Sequence, residues 1–275
     1  MTQNITGLEP KAAEFLISFA ARGQRIFTIE QAQAFWGDPA YTTNVLSRLE
    51  QGGWLHRLER GTYMIIPMEA GPDRRWSESA LVIAPYLIEP AAVAYWSALS
   101  YWQLTEQIPR TVFVQSTARK SQREKEILGI TFRFVTVVAT KFFGVTRRTL
   151  DGQPISITDL EKTLVDAADR PDLSGGGLQL IQALRVAHAD IDWEKLDRYL
   201  QDWPHTSPIK RLGYLLERMD VPIPNRKARL NRWQQALAPG IVGLEPGYGS
   251  GEGSIVTRWQ LRINITTPWQ SQAPI

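Results

Sequence analysis

Apolar positions along the first seventy residues follow two periods in turn. Phe15, Leu16 and Phe19 recur at helical spacing, and Ile29, Ala32, Phe35 and Trp36 form a second apolar stripe. Thr28 stands where an N-cap belongs, and Gln31 occupies the reciprocal capping-box position. Gly37 lets the chain turn. Asp38 then caps a third helix, with Pro39 at its first position, where a missing N–H costs nothing. Val45, Leu46 and Leu49 point inward from that helix, and Gly52-Gly53 ends it. The period then changes to two. Trp54 to Leu58 alternates as a strand, Glu59-Arg60-Gly61 turns, and Thr62 to Ile66 returns. Helix, turn, helix and hairpin in this order predict a winged helix-turn-helix.

The outward face of the third helix carries Asn44, Ser47, Arg48 and Gln51, with Tyr41 and Thr43 at its margins. Such a face suits the DNA major groove. Arg pairs with guanine, Asn and Gln pair with adenine, and short side chains allow close approach. In the wing, Arg57, Arg60 and Tyr63 are expected to meet phosphate or the minor groove. A polar helix face is also what a solvated protein-docking module would show. Charge does not decide between them, because residues 1–70 hold six Lys/Arg against seven Asp/Glu.

A polar, turn-rich stretch follows, which divides the chain into a winged domain (1–68), a linker (69–76) and a second domain (77–275). The overall class expected is α+β. In the second domain, Ala91–Leu104 reads as an apolar helix, and TVFVQ (111–115) and TFRFVTVV (131–138) read as strands. Asp151-Gly152 marks a hairpin between 145–150 and 154–157. Thr158 or Asp159 caps a helix ending before Pro171. Further helices are expected at 177–188, 193–201 and 209–218, and a last strand at 258–265.

Four segments of this pattern, taken in order, resemble one family. They are GGWLHRLERGTYMIIP, IEPAAVAYWSALSYWQLTEQIPRTVFVQS, PISITDLEKTLVDAADRP and RLGYLLERM. The chain is similar to the AbiEi antitoxins of type IV toxin–antitoxin systems. The resemblance implies a transcriptional autorepressor that binds inverted repeats in the double-stranded DNA upstream of its own operon, self-associating on that DNA or binding it as paired monomers. It implies an antitoxin role for the mixed α/β second domain. The functional partner would be a nucleotidyltransferase-like toxin, neutralised without a stable complex being required. Phage defence is implied with it, while the residues themselves present no catalytic set that fits, so no enzyme is expected.

Composition narrows the chemistry. The 275 residues include no Cys, which rules out disulfides, thiolate metal sites and Cys nucleophiles. His56, His188 and His205 have no ligand spacing, so neither a metal nor any other cofactor is expected. The N-terminus lacks the pattern of a signal peptide and no apolar run spans a bilayer, so a cytoplasmic protein is expected.

Positive charge is segregated. Residues 110–150 hold nine Lys/Arg against two Glu, among them Arg110, Arg119, Lys120, Arg123, Lys125, Arg147 and Arg148. This set is a candidate second nucleic-acid surface, with an exposed loop at STARKSQREK. A second basic run holds Lys210, Arg211, Arg218, Arg226, Lys227, Arg229 and Arg232. Two other readings compete. One is a winged-helix regulator whose second domain senses a ligand in a pocket lined by Trp96 and Trp102. The other is a nuclease-like or RNA-modifying enzyme using Asp159 and Glu161 on magnesium. Spacing argues against the latter, since residues two apart on a helix do not face each other. Early acids, and equally Asp166 and Asp169, read as polar helix positions. Ser174 to Gly177 reads as a flexible connection.

Overall fold

A computed structural model describes residues 8–67, 70, 79–247 and 251–269. The expected boundary at 68 and the linker 69–76 lie outside the described residues except for Ala70. The winged module comprises α1 (Pro10–Ala21), β1 (Ile26–Thr28), α2 (Ile29–Trp36), α3 (Pro39–Gln51), β2 (Leu55–Glu59) and β3 (Thr62–Ile65). Its capping follows the sequence closely. Thr28 and Gln31 form the reciprocal box, the Thr28 N–H donating to Gln31 Oε1 at 2.9 Å. The Tyr41 N–H donates to Asp38 Oδ1 at 2.7 Å. Each cap satisfies an orphan N–H of a helix start.

β1 was not apparent from the sequence. It pairs antiparallel with β3, giving a three-stranded sheet in the order β1-β3-β2. Two apolar residues followed by the helix-capping Thr28 carry too little alternation to announce a strand. Phe35, expected inward, is 39% exposed and meets Phe15 and Trp36 edge-on.

The winged sheet is buried on both faces. Phe27, Leu55, Tyr63 and Ile65 pack with α1 and α3. The alternate residues Ile26, Leu58, Met64 and Ile66 join a different cluster, with Val82, Val93, Val114 and Phe132. Successive strand residues point to opposite faces, so the apolar run TYMII feeds two cores at once.

That second cluster lies on a six-stranded mixed sheet of order β6-β7-β5-β4-β9-β8. The strands are β4 (Ala92–Val93), β5 (Thr111–Ser116), β6 (Glu124–Ile127), β7 (Ile130–Thr136), β8 (Val145–Leu150) and β9 (Gln153–Thr158). β5 and β7 run parallel, as do β4 and β9. β8 and β9 form the expected hairpin, with Asp151 and Gly152 both at positive φ in its turn. A short helix α4 (Ala80–Ile83) covers the winged side of the sheet.

The segment 91–104 is not one helix. Ala92 and Val93 are drawn into the sheet between β5 and β9, and α5 (Tyr95–Tyr101) follows. Tyr95 makes that turn at φ 54. The opposite side of the sheet carries α6 (Leu160–Asp169), α7 (Gly176–Ala187), α8 (Trp193–Asp202), α9 (Ser207–Arg218) and α10 (Arg226–Gln235). They share one large apolar cluster with Trp259, Leu261 and Ile263. A small sheet of β10 (Val242–Gly243), β12 (Leu261–Ile263) and β11 (Ser254–Val256) closes the chain, so the expected final strand is shorter than 258–265. Ser174 to Gly177 leads into a helix start rather than a flexible connection. The Gly177 N–H donates to the Glu245 carboxylate, a cap supplied from far along the chain.

Candidate nucleic-acid interface

α3 buries Thr42, Val45, Leu46 and Leu49 and presents Thr43, Asn44, Ser47, Arg48 and Gln51 to solvent. Asn44 and Ser47 sit at the centre of that face. Gln51 Nε2 reaches Ser47 Oγ at 3.4 Å, and Thr43 Oγ1 donates back to Pro39 O at 2.9 Å. Arg48 forms an exposed, two-contact ion pair with Glu9 at the start of α1. A partner that takes the Arg48 guanidinium must displace Glu9, at a cost within the roughly 0–1 kcal/mol of an exposed pair. Tyr41 is half-buried, edge-on to Trp36, with the Lys11 ammonium 6.0 Å from its ring.

In the wing, Arg57 and Arg60 are exposed at the β2–β3 end. Arg57 Nε donates to Glu59 O at 3.3 Å. Tyr63 departs from its expected role. It is 8% exposed and stacks on Phe27 at 5.8 Å between ring centroids. Tyr63 lies on the central strand, covered by Phe27, whereas its cross-strand partner Arg57 lies on the edge strand and Arg60 in the turn, both open to solvent.

Residues 14–66 match the family model described as a transcriptional regulator, AbiEi antitoxin. This AbiEi-type segment runs from within α1 to just past β3, and it agrees with the resemblance read from the sequence. A solved structure, the RV2827C protein from Mycobacterium tuberculosis, superposes with a TM-score of 0.65 over 95% of this chain and 94% of that chain. At 19% identity the likeness is one of fold. No curated protein matches the chain.

The basic residues of the second domain do not form one surface. Lys120 and Lys125 are turned onto the AbiEi-type segment, where their ammonium groups meet Glu59 Oε1 at 2.6 and 3.0 Å. Lys120 also donates to Leu87 O, and Lys125 to Leu58 O at 2.8 Å. Burial would raise the Glu59 pKa, but the two lysines outweigh it and hold the carboxyl below its usual range. These lysines fasten the wing to the second domain rather than facing solvent as expected. Part of the expected exposed loop is the edge strand β6, paired with β7.

Arg147 and Arg148 lie on β8, the opposite edge of the same sheet. Five strand spacings, about 24 Å, separate the two edges. Arg110, Arg119 and Arg123 remain exposed. Arg119 and Arg123 share a cleft with Arg133 and Arg170. The last two were missed as site residues, although the alternation of Arg133 between Phe132 and Phe134 places it on the opposite face.

The basic run 210–232 is largely consumed inside the fold. Arg211 donates to Ala168 O and Gly243 O at 2.7 and 2.9 Å, and desolvation brings its pKa down to about 10. Arg229, 2% exposed, is held by Asp197 and Glu194. Arg226 caps carbonyls at the end of α9, including Leu216 O at 2.6 Å and Met219 O at 2.7 Å.

The acids also differ from expectation. Asp159 and Glu161 do converge, because Asp159 is the N-cap and lies outside the helical spiral. Lys195 Nζ contacts Asp159 Oδ2 at 3.0 Å and Glu161 Oε2 at 2.9 Å. Asp166 is no surface position. It is 1% exposed and paired with Lys162, which is fully buried. Gln115 and Tyr95 complete that network. Among the described residues no group of three or more His, Asp or Glu is arranged to hold a metal, and no helix is long and apolar enough to cross a membrane. Trp102 is committed to packing, its indole N–H donating to Thr158 O at 2.9 Å, and Trp96 packs against two clusters.

Proposed function

We propose that this protein is a DNA-binding autorepressor and antitoxin of a type IV toxin–antitoxin system, acting in the cytoplasm. The observation that carries the reading is the coincidence of two things: the AbiEi regulator match and a winged module whose α3 turns Asn44, Ser47 and Arg48 outward. α3 enters the major groove, and Arg57 and Arg60 of the wing meet the backbone beside it. Inverted repeats upstream of its own operon supply two half-sites, so two winged domains bind each operator. The second domain counters a nucleotidyltransferase-like toxin, with no stable complex between the two required. A magnesium-nuclease reading is disfavoured because the Lys195 ammonium is already paired with both carboxylates it would use.

The test is binding of the full-length protein to its own upstream DNA and to a scrambled duplex across a salt series. Selective binding whose affinity falls steeply with salt is expected. Equal affinity for both duplexes would sink the repressor reading. Asn44→Ala and Arg48→Ala should each relax base preference by about 1–3 kcal/mol, the worth of a bidentate base contact. Full selectivity in both variants would mean that another surface reads the operator. Co-expression with the toxin encoded beside it tests the antitoxin half, and growth rescue is the expected result.

A further inference from the structure

The carboxyl ends of the adjacent parallel strands β5 and β7 open into a cleft of about 850 Å³. Crevices outside the carboxyl ends of parallel strands are where open sheets place ligands, and this volume suits a small molecule. Four guanidinium groups border it, from Arg119, Arg123, Arg133 and Arg170. None of the described lining residues is acidic. Arg170 is set in place by a two-contact pair with Asp172, at 2.8 and 2.6 Å, which raises its pKa further. Arg133 makes a long contact of 3.7 Å with the exposed Glu124 and stands 5.9 Å from the centroid of the Phe113 ring. Val135, Val137 and the exposed Val138 supply apolar wall beside these charges, while the buried Phe134 lies under the Lys120 ammonium at 4.6 Å.

The geometry points to a binding site for a nucleotide carrying two or more phosphates. The arginines take the phosphates, since the planar guanidinium matches phosphate oxygens in pairs. The apolar wall takes the base. A recess favours this ligand over duplex DNA, whose convex backbone meets ridges and exposed loops better than a cleft between strand ends. The site lies in the second domain, outside the AbiEi-type segment, and it does not rest on operator binding.

The test is isothermal titration of the full-length protein with ATP, GTP, CTP and UTP, and with inorganic tripolyphosphate. Saturable binding of at least one nucleoside triphosphate in the micromolar range is expected. Arg133→Ala and Arg123→Ala, both at exposed positions, should each raise its Kd tenfold or more, with thermal melting confirming that they fold. Arg147→Ala, on the far sheet edge, should leave it unchanged. Asn44→Ala should also leave it unchanged, which separates this site from the recognition helix. Any of three results would overturn the assignment: no saturable binding at millimolar nucleotide, wild-type affinity in the Arg133 and Arg123 variants, or tripolyphosphate binding as tightly as every nucleotide. Variants that weaken operator DNA while no nucleotide binds would reassign the cleft to the DNA backbone, and would equally overturn it.

Discussion

At Gly213, in the middle of α9, packing leaves room for a hydrogen atom and nothing more. A Cβ there would stand 2.1 Å from the Trp259 ring, which is fully buried. Trp259 is anchored in turn, its indole N–H donating to Glu217 Oε2 at 2.7 Å one turn along the same helix. Gly213→Ala gains about 1 kcal/mol in helix propensity. It also forces an overpacking that costs about 1–3 kcal/mol or more where the neighbour cannot move. A lower thermal midpoint is expected, and a raised one would show that Trp259 is not seated against α9. Other residues were readable in advance because their partners are local. Thr28 and Asp38 cap helices that begin at the next residue. Tyr63 was not readable in this way, because the sequence does not show that its strand is central and covered on both faces.

α6 illustrates the element scale. Its residues from Glu161 to Ala168 are all buried, charged ones included. The helix was legible from its cap and length, but its polar face was not. Lys162 and Asp166 are one turn apart and pair inside the protein, with Phe143 and Trp203 over the ammonium group at 5.3 and 4.9 Å. Breaking a buried pair from one side leaves a lone charge and typically costs about 3–5 kcal/mol. Lys162→Met should therefore be strongly destabilising in urea unfolding. The double change Lys162→Met with Asp166→Leu should recover part of the loss, because no orphan carboxylate remains. Additive losses would mean that the two side chains act independently. Among the strands, β8 and β9 were visible because Asp151-Gly152 dictates their turn. β6 was not, because its sequence EKEI carries three charges and exists as a strand only through pairing with β7.

On the scale of the whole molecule, the winged module and the second domain share a core. Ile26, Leu58, Met64 and Ile66 face the large sheet, and Glu59 is clamped between Lys120 and Lys125. The wing is thus held in a fixed orientation relative to the second domain. The sign of its pH dependence follows from the lowered Glu59 pKa. Such a carboxylate stabilises the folded state at pH values above the ordinary 4.5, and that contribution fades as pH falls through the lowered folded value. Glu59→Gln should lower the thermal midpoint at pH 7. The gap from wild type should close as the pH is taken below about 4. A constant gap across the acid range would show that the carboxylate charge does not hold the wing. The same assembly disperses the basic residues, leaving Arg119 and Arg123 near one sheet edge and Arg147 and Arg148 on the other.

The sequence by itself determined the winged helix-turn-helix, its caps, the 151–152 turn and most of the later helices. Each of these follows from side-chain periodicity or backbone preference within a few residues. Tertiary structure alone decided which charges are available. Glu59 meets Lys120 across 61 positions, Arg211 meets Ala168 across 43, and Arg229 meets Asp197 across 32. A count of charges along the chain cannot register such pairings. Whether an arginine binds a ligand or a neighbouring carbonyl depends on what the fold brings against it.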